Sequence, residues 1–305
     1  MAFAKRILLF IAVNLLVVIT VSLILNLFHV QPFLQGTGLN IQSLLIFCLV
    51  WGMGGALISL ALSRLMAKWM MGVRIVDPNT RDPALCQLVA SVKSLSTKAN
   101  LPCIPEIGIF TSAEPNAFAT GPTKRKSLIA VSTGLLEKMS SQELEGVLAH
   151  EMAHIANGDM VTMTLIQGVV NAFVMFLARV LAFALSGLGK QRNENSSGGS
   201  YMSYMLFTFL FEVVFMILGS LAICSFSRWR EFKADRGGAD LAGRPKMIAA
   251  LESLQRMQQI QDPLANKPSL AAFKISVKKK TGFLRLFSTH PPLEERILRL
   301  KKNRL

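Results

Sequence analysis

The amino-acid sequence predicts a mainly helical α+β protein in which two polar segments are threaded through a four-helix transmembrane region. Three observations predict it. Four apolar stretches have spanning length, the basic charge falls almost wholly on one side of them, and the polar segments between carry helix- and strand-period patterns. Hydrophobic residues are 51% of the 305 and charged residues only 17%, against about 25% charged in an ordinary soluble domain.

The four stretches run roughly from Ile7 to Phe28, Ile41 to Ser63, Val161 to Leu188 and Met205 to Phe226. Each supplies the ~20 residues a spanning helix needs. The first follows Lys5-Arg6 and reads as a retained anchor, since its apolar region is too long for a secretory signal and no A-x-A-like site follows. The expected organisation is residues 1–63 as two N-terminal spans, 64–160 as a first polar part, 161–226 as a membrane hairpin and 227–305 as a second polar part. With all four helices crossing, 30 of the 33 Lys and Arg lie on one side. By the positive-inside rule both termini and both polar parts are then cytoplasmic. The net charge of +15 is accounted for by membrane flanks and an anionic leaflet, and no nucleic-acid partner is expected.

Arg179 and Glu212 fall inside the third and fourth stretches. At 1.5 Å per residue they lie about 24 and 21 Å from the cytoplasmic ends, so an antiparallel hairpin puts them at similar depth. Either they pair, or both snorkel to the outer headgroups. Cys48, Cys86, Cys103 and Cys224 show no C-x-x-C spacing and no disulfide framework. The Gly-, Ser- and Asn-rich stretch Gly187 to Ser203 reads as an external loop.

In the first polar part, Arg64, Lys68 and Arg74 flank the membrane. Leu85, Leu88, Val89, Val92 and Leu95 give Pro83 to Ala99 a helical period. Glu106 to Phe110, Asn116 to Thr120 and Ser127 to Val131 read as strands, with Gly121 to Lys126 as a hairpin turn. Ser140-Ser141-Gln142-Glu143 fits a capping box, S-x-x-E. The helix it opens should run to about Ala156, closed by Asn157-Gly158-Asp159 with Gly158 as a left-handed cap.

His150-Glu151-Met152-Ala153-His154 lies on that helix. Residues four apart share a face, so both imidazoles can chelate one ion. Glu151 projects beside them, where a carboxylate can take a proton from an activated water and pass it to a leaving amine. Zinc lowers the pKa of bound water to about 7, so the pattern points to peptide hydrolysis on a zincin-like metalloprotease domain. A third ligand is required. Glu231, in Glu231-Phe232-Lys233-Ala234-Asp235 just after the fourth stretch, is the candidate; its other reading is charge balance for Arg228 and Arg230. Asp235, one turn on, can orient a ligating histidine.

The chain resembles the HtpX family of bacterial membrane zinc metalloproteases, related to the prenyl-protein proteases. The resemblance rests on the two N-terminal spans, Pro115-Asn116-Ala117-Phe118-Ala119-Thr120-Gly121, Leu148 to His154, the membrane hairpin, Ser227 to Asp235, and Ser288-Thr289-His290-Pro291-Pro292. It implies one Zn²⁺ held by His150, His154 and Glu231, with Glu151 as general base. It also implies Asn116 along the substrate cleft, and His290 and Arg296 stabilising the tetrahedral intermediate. Asn116 as a turn residue, His290 as a helix cap and Arg296 paired with Glu294 or Glu295 are the plainer readings. The family resemblance implies residence in the bacterial inner membrane and cleavage of cytoplasmic segments of damaged or misfolded membrane proteins. The competing readings are a scaffold whose zinc is closed off by His290, an intramembrane protease and a prenyl-protein-type protease.

Overall fold

The computed structural model describes residues 41–188, 197–260 and 282–302. The first apolar stretch lies outside the described residues. The described elements are α1 (Ile41–Met70), β1 (Arg74–Ile75), α2 (Pro83–Lys98), β2 (Glu106–Phe110), β3 (Ala117–Thr123), β4 (Lys126–Ser132) and α3 (Thr133–Lys138). They continue with α4 (Ser141–Asn157), α5 (Asp159–Leu188), α6 (Ser197–Ala242), α7 (Arg244–Ile260), a 3-10 turn (Gly282–Phe287) and α8 (Leu293–Lys301). Among the described residues helix dominates, with one four-stranded sheet, in keeping with the expected mainly helical α+β class; β1 is a strand beyond the three expected.

The chain divides into two compact units, Met1–Ile58 with Leu165–Gly219 and Ser59–Thr164 with Ser220–Leu305. In the first, Phe173, Phe209 and Met216 are more than half exposed, an apolar surface that suits a lipid environment. By length and composition three described helices can cross a membrane: Ser43–Met70, Asp159–Phe183 and Tyr201–Ala242. Arg179 pairs with Glu212 at 2.7 Å and donates to the Met175 carbonyl at 3.0 Å. Pairing, and not snorkelling, accounts for the two charges.

In the second unit the sheet order is β1-β2-β4-β3. β2 and β4 are parallel, and β1 and β3 join antiparallel at either edge. Central β4 is buried from Ser127 to Ser132, and its side chains alternate between two cores as a strand's must. Ile129 and Val131 face Leu88, Val92, Leu148 and Met152. Leu128 and Ala130 face Ala67, Val73 and Phe110.

Several boundaries differ from expectation. α1 continues past Ser63 to Met70 because Arg64 and Lys68, expected as membrane flanks, both pair with Glu106. Partial burial opposes charge on Glu106, but these two cations hold its carboxyl below the usual range. The β3–β4 hairpin is tighter than the expected Gly121–Lys126 turn: Thr123 pairs with Lys126 after an irregularity beyond Thr120. Helix also occupies both ends of the expected external loop, to Leu188 and from Ser197; residues 189–196 lie outside the described residues.

Candidate metal centre

α4 begins as its sequence dictates. Ser140 Oγ accepts from the Glu143 amide, and the Glu143 carboxylate accepts from the Ser140 amide, so two otherwise unpaired donors are satisfied. Its apolar face, Val147, Leu148, Ala149, Met152 and Ile155, packs into the main core. The opposite side carries His150 and His154, both buried. The helix stops at Gly158, whose φ of 71° is cheap only for glycine.

α6 carries Glu231 and Asp235. It can lie close to α4 because Gly237 and Gly238 face it. A Cβ at Gly237 would sit 2.9 Å from the Ala153 Cβ, and one at Gly238 3.1 Å from the His150 amide nitrogen. This contact brings Glu231, 1% exposed, against the two imidazoles.

The inward donor atoms converge. His150 Nε2 and His154 Nε2 are 3.2 Å apart. Glu231 Oε2 is 3.5 Å from His150 Nε2, and Oε1 is 3.3 Å from His154 Nε2. A tetrahedral ion with 2.0–2.1 Å bonds has ligand edges of about 3.3–3.4 Å, so the separations suit zinc. The outward nitrogens are each backed by a carboxylate: His150 Nδ1 by Asp235 Oδ1 at 3.0 Å, and His154 Nδ1 by Asp159 Oδ2 at 2.5 Å. Those contacts assign the ring protons to Nδ1 and leave both Nε2 lone pairs pointing inward. Glu231 Oε2 is buried without a hydrogen bond, although His290 Nδ1 lies 2.9 Å away. With both rings neutral, these are three electron-pair donors with no proton among them, and they fit a cation.

The electrostatics agree. Burial opposes charge on His150, but its hydrogen bonds to Asp235 and Glu231 outweigh it and raise the pKa to about 9. His154 is raised in the same way, against burial, by Asp159 and Glu231. In the absence of metal the pocket draws protons onto both rings, which is what an anionic cation site does.

The other expected site residues fall around this cluster. Glu151, half-buried, lines one cavity with Asn116, His150, Glu231, His290 and Arg296. The Asn116 amide donates to Ser132 Oγ at 2.9 Å, which fixes the strand entry at the cavity edge. The 3-10 turn leading to His290 is held by Arg228, which donates to the carbonyls of Leu286 and Ser288 at 2.7 and 2.8 Å. Glu295 pairs with Arg285 and Arg299, while Arg296 turns to Asp235. The Arg296 side chain is buried and grips that carboxylate through Nε at 2.8 Å and Nη2 at 2.6 Å. Its Nη2 is also 3.4 Å from His150 Nδ1; both are donors there, and the shorter carboxylate contact decides the ring proton. Asp159 is the site contact that the sequence reading missed, having served there only as part of a helix end.

Two helix histidines one turn apart, with a carboxylate from a second helix closing the triangle, define a metallopeptidase of the His-Glu-x-x-His type. The profile of peptidase family M48 matches residues 85–304. The Protease HtpX homolog of Thiobacillus denitrificans is 48% identical over 297 residues, 97% of this chain and 99% of the relative. Protease HtpX of Hahella chejuensis is 47% identical over 299 residues, 98% of this chain and 99% of the relative. The chain therefore belongs to peptidase family M48 and is an HtpX-type zinc metalloprotease. The crystal structure of S. mikatae Ste24p shares the fold, with a TM-score of 0.54 at 19% identity, covering 81% of this chain. The chain spans 56% of the length of that structure.

Proposed function

We propose that this protein is a zinc-dependent endopeptidase of the bacterial inner membrane that cleaves cytoplasmic segments of misfolded or damaged membrane proteins. The zincin-like domain is joined to four spans, with termini and active site on the cytoplasmic side. The observation that carries the reading is the convergence of His150, His154 and Glu231 at tetrahedral separations, beside Glu151. The excess of Lys and Arg around the polar parts supports the orientation.

When bound, zinc would acidify a water molecule and polarise the scissile carbonyl. The chain's own residues supply the rest. Glu151 accepts the proton of the attacking water and returns it to the departing amine. Asn116, at the entry to edge strand β3, aligns the substrate backbone. His290 donates to the oxygen on which charge develops, an interaction worth about 2.7–4 kcal/mol in comparable sites. Arg296 contributes positive charge, with Nη1 3.7 Å from Glu231, and locks Asp235, which orients His150. Leu135, Val147, Met247, Leu251 and Leu254 form the apolar wall of the same cavity. They suit an apolar side chain next to the cleaved bond, as an unfolded segment would present.

The test is metal analysis and proteolysis of an unfolded protein, with the full chain in detergent. Glu151→Gln should keep one zinc and lose activity by roughly 10²–10⁴-fold. Glu231→Ala should lose both. Equal cleavage by wild type and Glu151→Gln would remove the proposed base. It would favour a scaffold in which His290 closes the zinc site.

A further inference from the structure

We propose that Asp159 is a positioning residue of the metal centre: its carboxylate accepts the Nδ1 proton of His154 and so aims the Nε2 lone pair at the metal. The inference rests on the zinc-binding reading of His150, His154 and Glu231. It concerns a residue outside the His-Glu-x-x-His motif and outside the helix that carries it.

The geometry is specific. Asp159 Oδ2 and His154 Nδ1 are 2.5 Å apart, in direct hydrogen-bond contact. Asp159 is 6% exposed and His154 7%, so water does not compete for the contact. The chain brings the two together through Gly158, whose left-handed conformation turns the backbone between α4 and α5. Asp159 is then the first residue of α5. A helix start, with its unpaired amides, is a favourable place for an acidic side chain.

The two histidines are thus oriented by different means. At His150 the carboxylate is Asp235, clamped by the Arg296 guanidinium. At His154 it is Asp159, the first residue of α5. A ring whose Nδ1 loses its acceptor is free to rotate or to carry its proton on Nε2, and either change removes a ligand.

Asp159 also opens α5, so the experiment separates orientation from helix initiation. Ser initiates helices well but places no carboxylate at His154. Full-length wild type, Asp159→Asn, Asp159→Ser and Asp159→Ala are stripped of metal in detergent. Each is titrated with zinc against a chelating competitor, and the visible spectrum is recorded after cobalt substitution. The expected result is a 10–100-fold loss of zinc affinity in the Ser and Ala variants, with altered cobalt bands. Asp159→Asn, which retains a neutral acceptor, should fall between them and wild type. Wild-type zinc affinity and cobalt bands in Asp159→Ser, with only a lowered thermal midpoint, would overturn the proposal and leave Asp159 a helix-start residue. If Ser and Ala fail to fold, wild-type affinity in Asp159→Asn overturns it as well. Wild type that binds no zinc would instead end the metal reading, and this inference with it.

Discussion

The protein settles charge in opposite ways in two regions. Among the apolar helices, Arg179 and Glu212 neutralise each other, and neither needs anything from outside. In the polar unit, Glu231, Asp235 and Asp159 surround two histidines, with Arg296 as the buried cation among them. The first arrangement is complete as it stands. The second leaves two imidazole lone pairs and a carboxylate aimed at one point. A closed ion pair is a structural fastening, whereas an open, anion-rich cluster is poised to receive a cation.

The sharpest way to break this comparison is to remove the arginine from each. Arg296→Met leaves the fully buried Asp235 with His150 as its remaining charged partner and should destabilise the metal-stripped protein by up to about 3–5 kcal/mol, read as a lowered thermal midpoint. Zinc should restore part of that loss by supplying positive charge; no recovery would mean that Arg296 acts only through packing.

The next effect is on metal affinity. In the metal-free protein His150 holds a proton up to about pH 9 instead of the ordinary 6.5. Zinc must displace that proton. Apparent zinc affinity should therefore strengthen with pH between these values, by up to about tenfold per unit. The sign for stability is the reverse. A raised histidine pKa stabilises the metal-free fold below pH 6.5, and that contribution is lost as pH climbs through 9. Competition titrations at three pH values would check the first, and unfolding of the stripped protein the second.

The smallest effect belongs to the pair among the apolar helices. Arg179→Met should cost about 1 kcal/mol, since polar contacts in membrane helices average less than their burial suggests. Exchanging the two charges, Arg179→Glu with Glu212→Arg, should recover most of what either reversal loses. Failure of the exchange in a thermal assay would mean that the surroundings, and not the partner, fix each sign.

Much of the site was legible because its chemistry has short spacing. The capping box, the i and i+4 histidines and the left-handed glycine are local rules, and α4 obeys them within one residue of the expected end. The third ligand was legible only as a candidate, since nothing local distinguishes Glu231 from a carboxylate balancing Arg228 and Arg230. What went unread lacks local signal. β1 has two residues, too few for a period, and exists because Arg74 and Ile75 pair with Ile109 and Gly108. α7 has a thin buried face of Met247, Ala250 and Leu251 within a polar sequence, and its place depends on α4. Asp159 needed the turn at Gly158 to become a partner of His154. The Arg296–Asp235 clamp joins residues 61 apart, beyond the reach of any spacing rule.

Gly237 and Gly238 give the metal centre an unusual vulnerability. Its donor spacing is governed by atoms that are missing, since α6 reaches α4 only where no side chain intervenes. One added methyl there would shift a whole helix by a few tenths of an ångström, while bonds to a metal tolerate about ±0.2 Å. Every ligand would still be in the chain, and the grip on the ion would be gone.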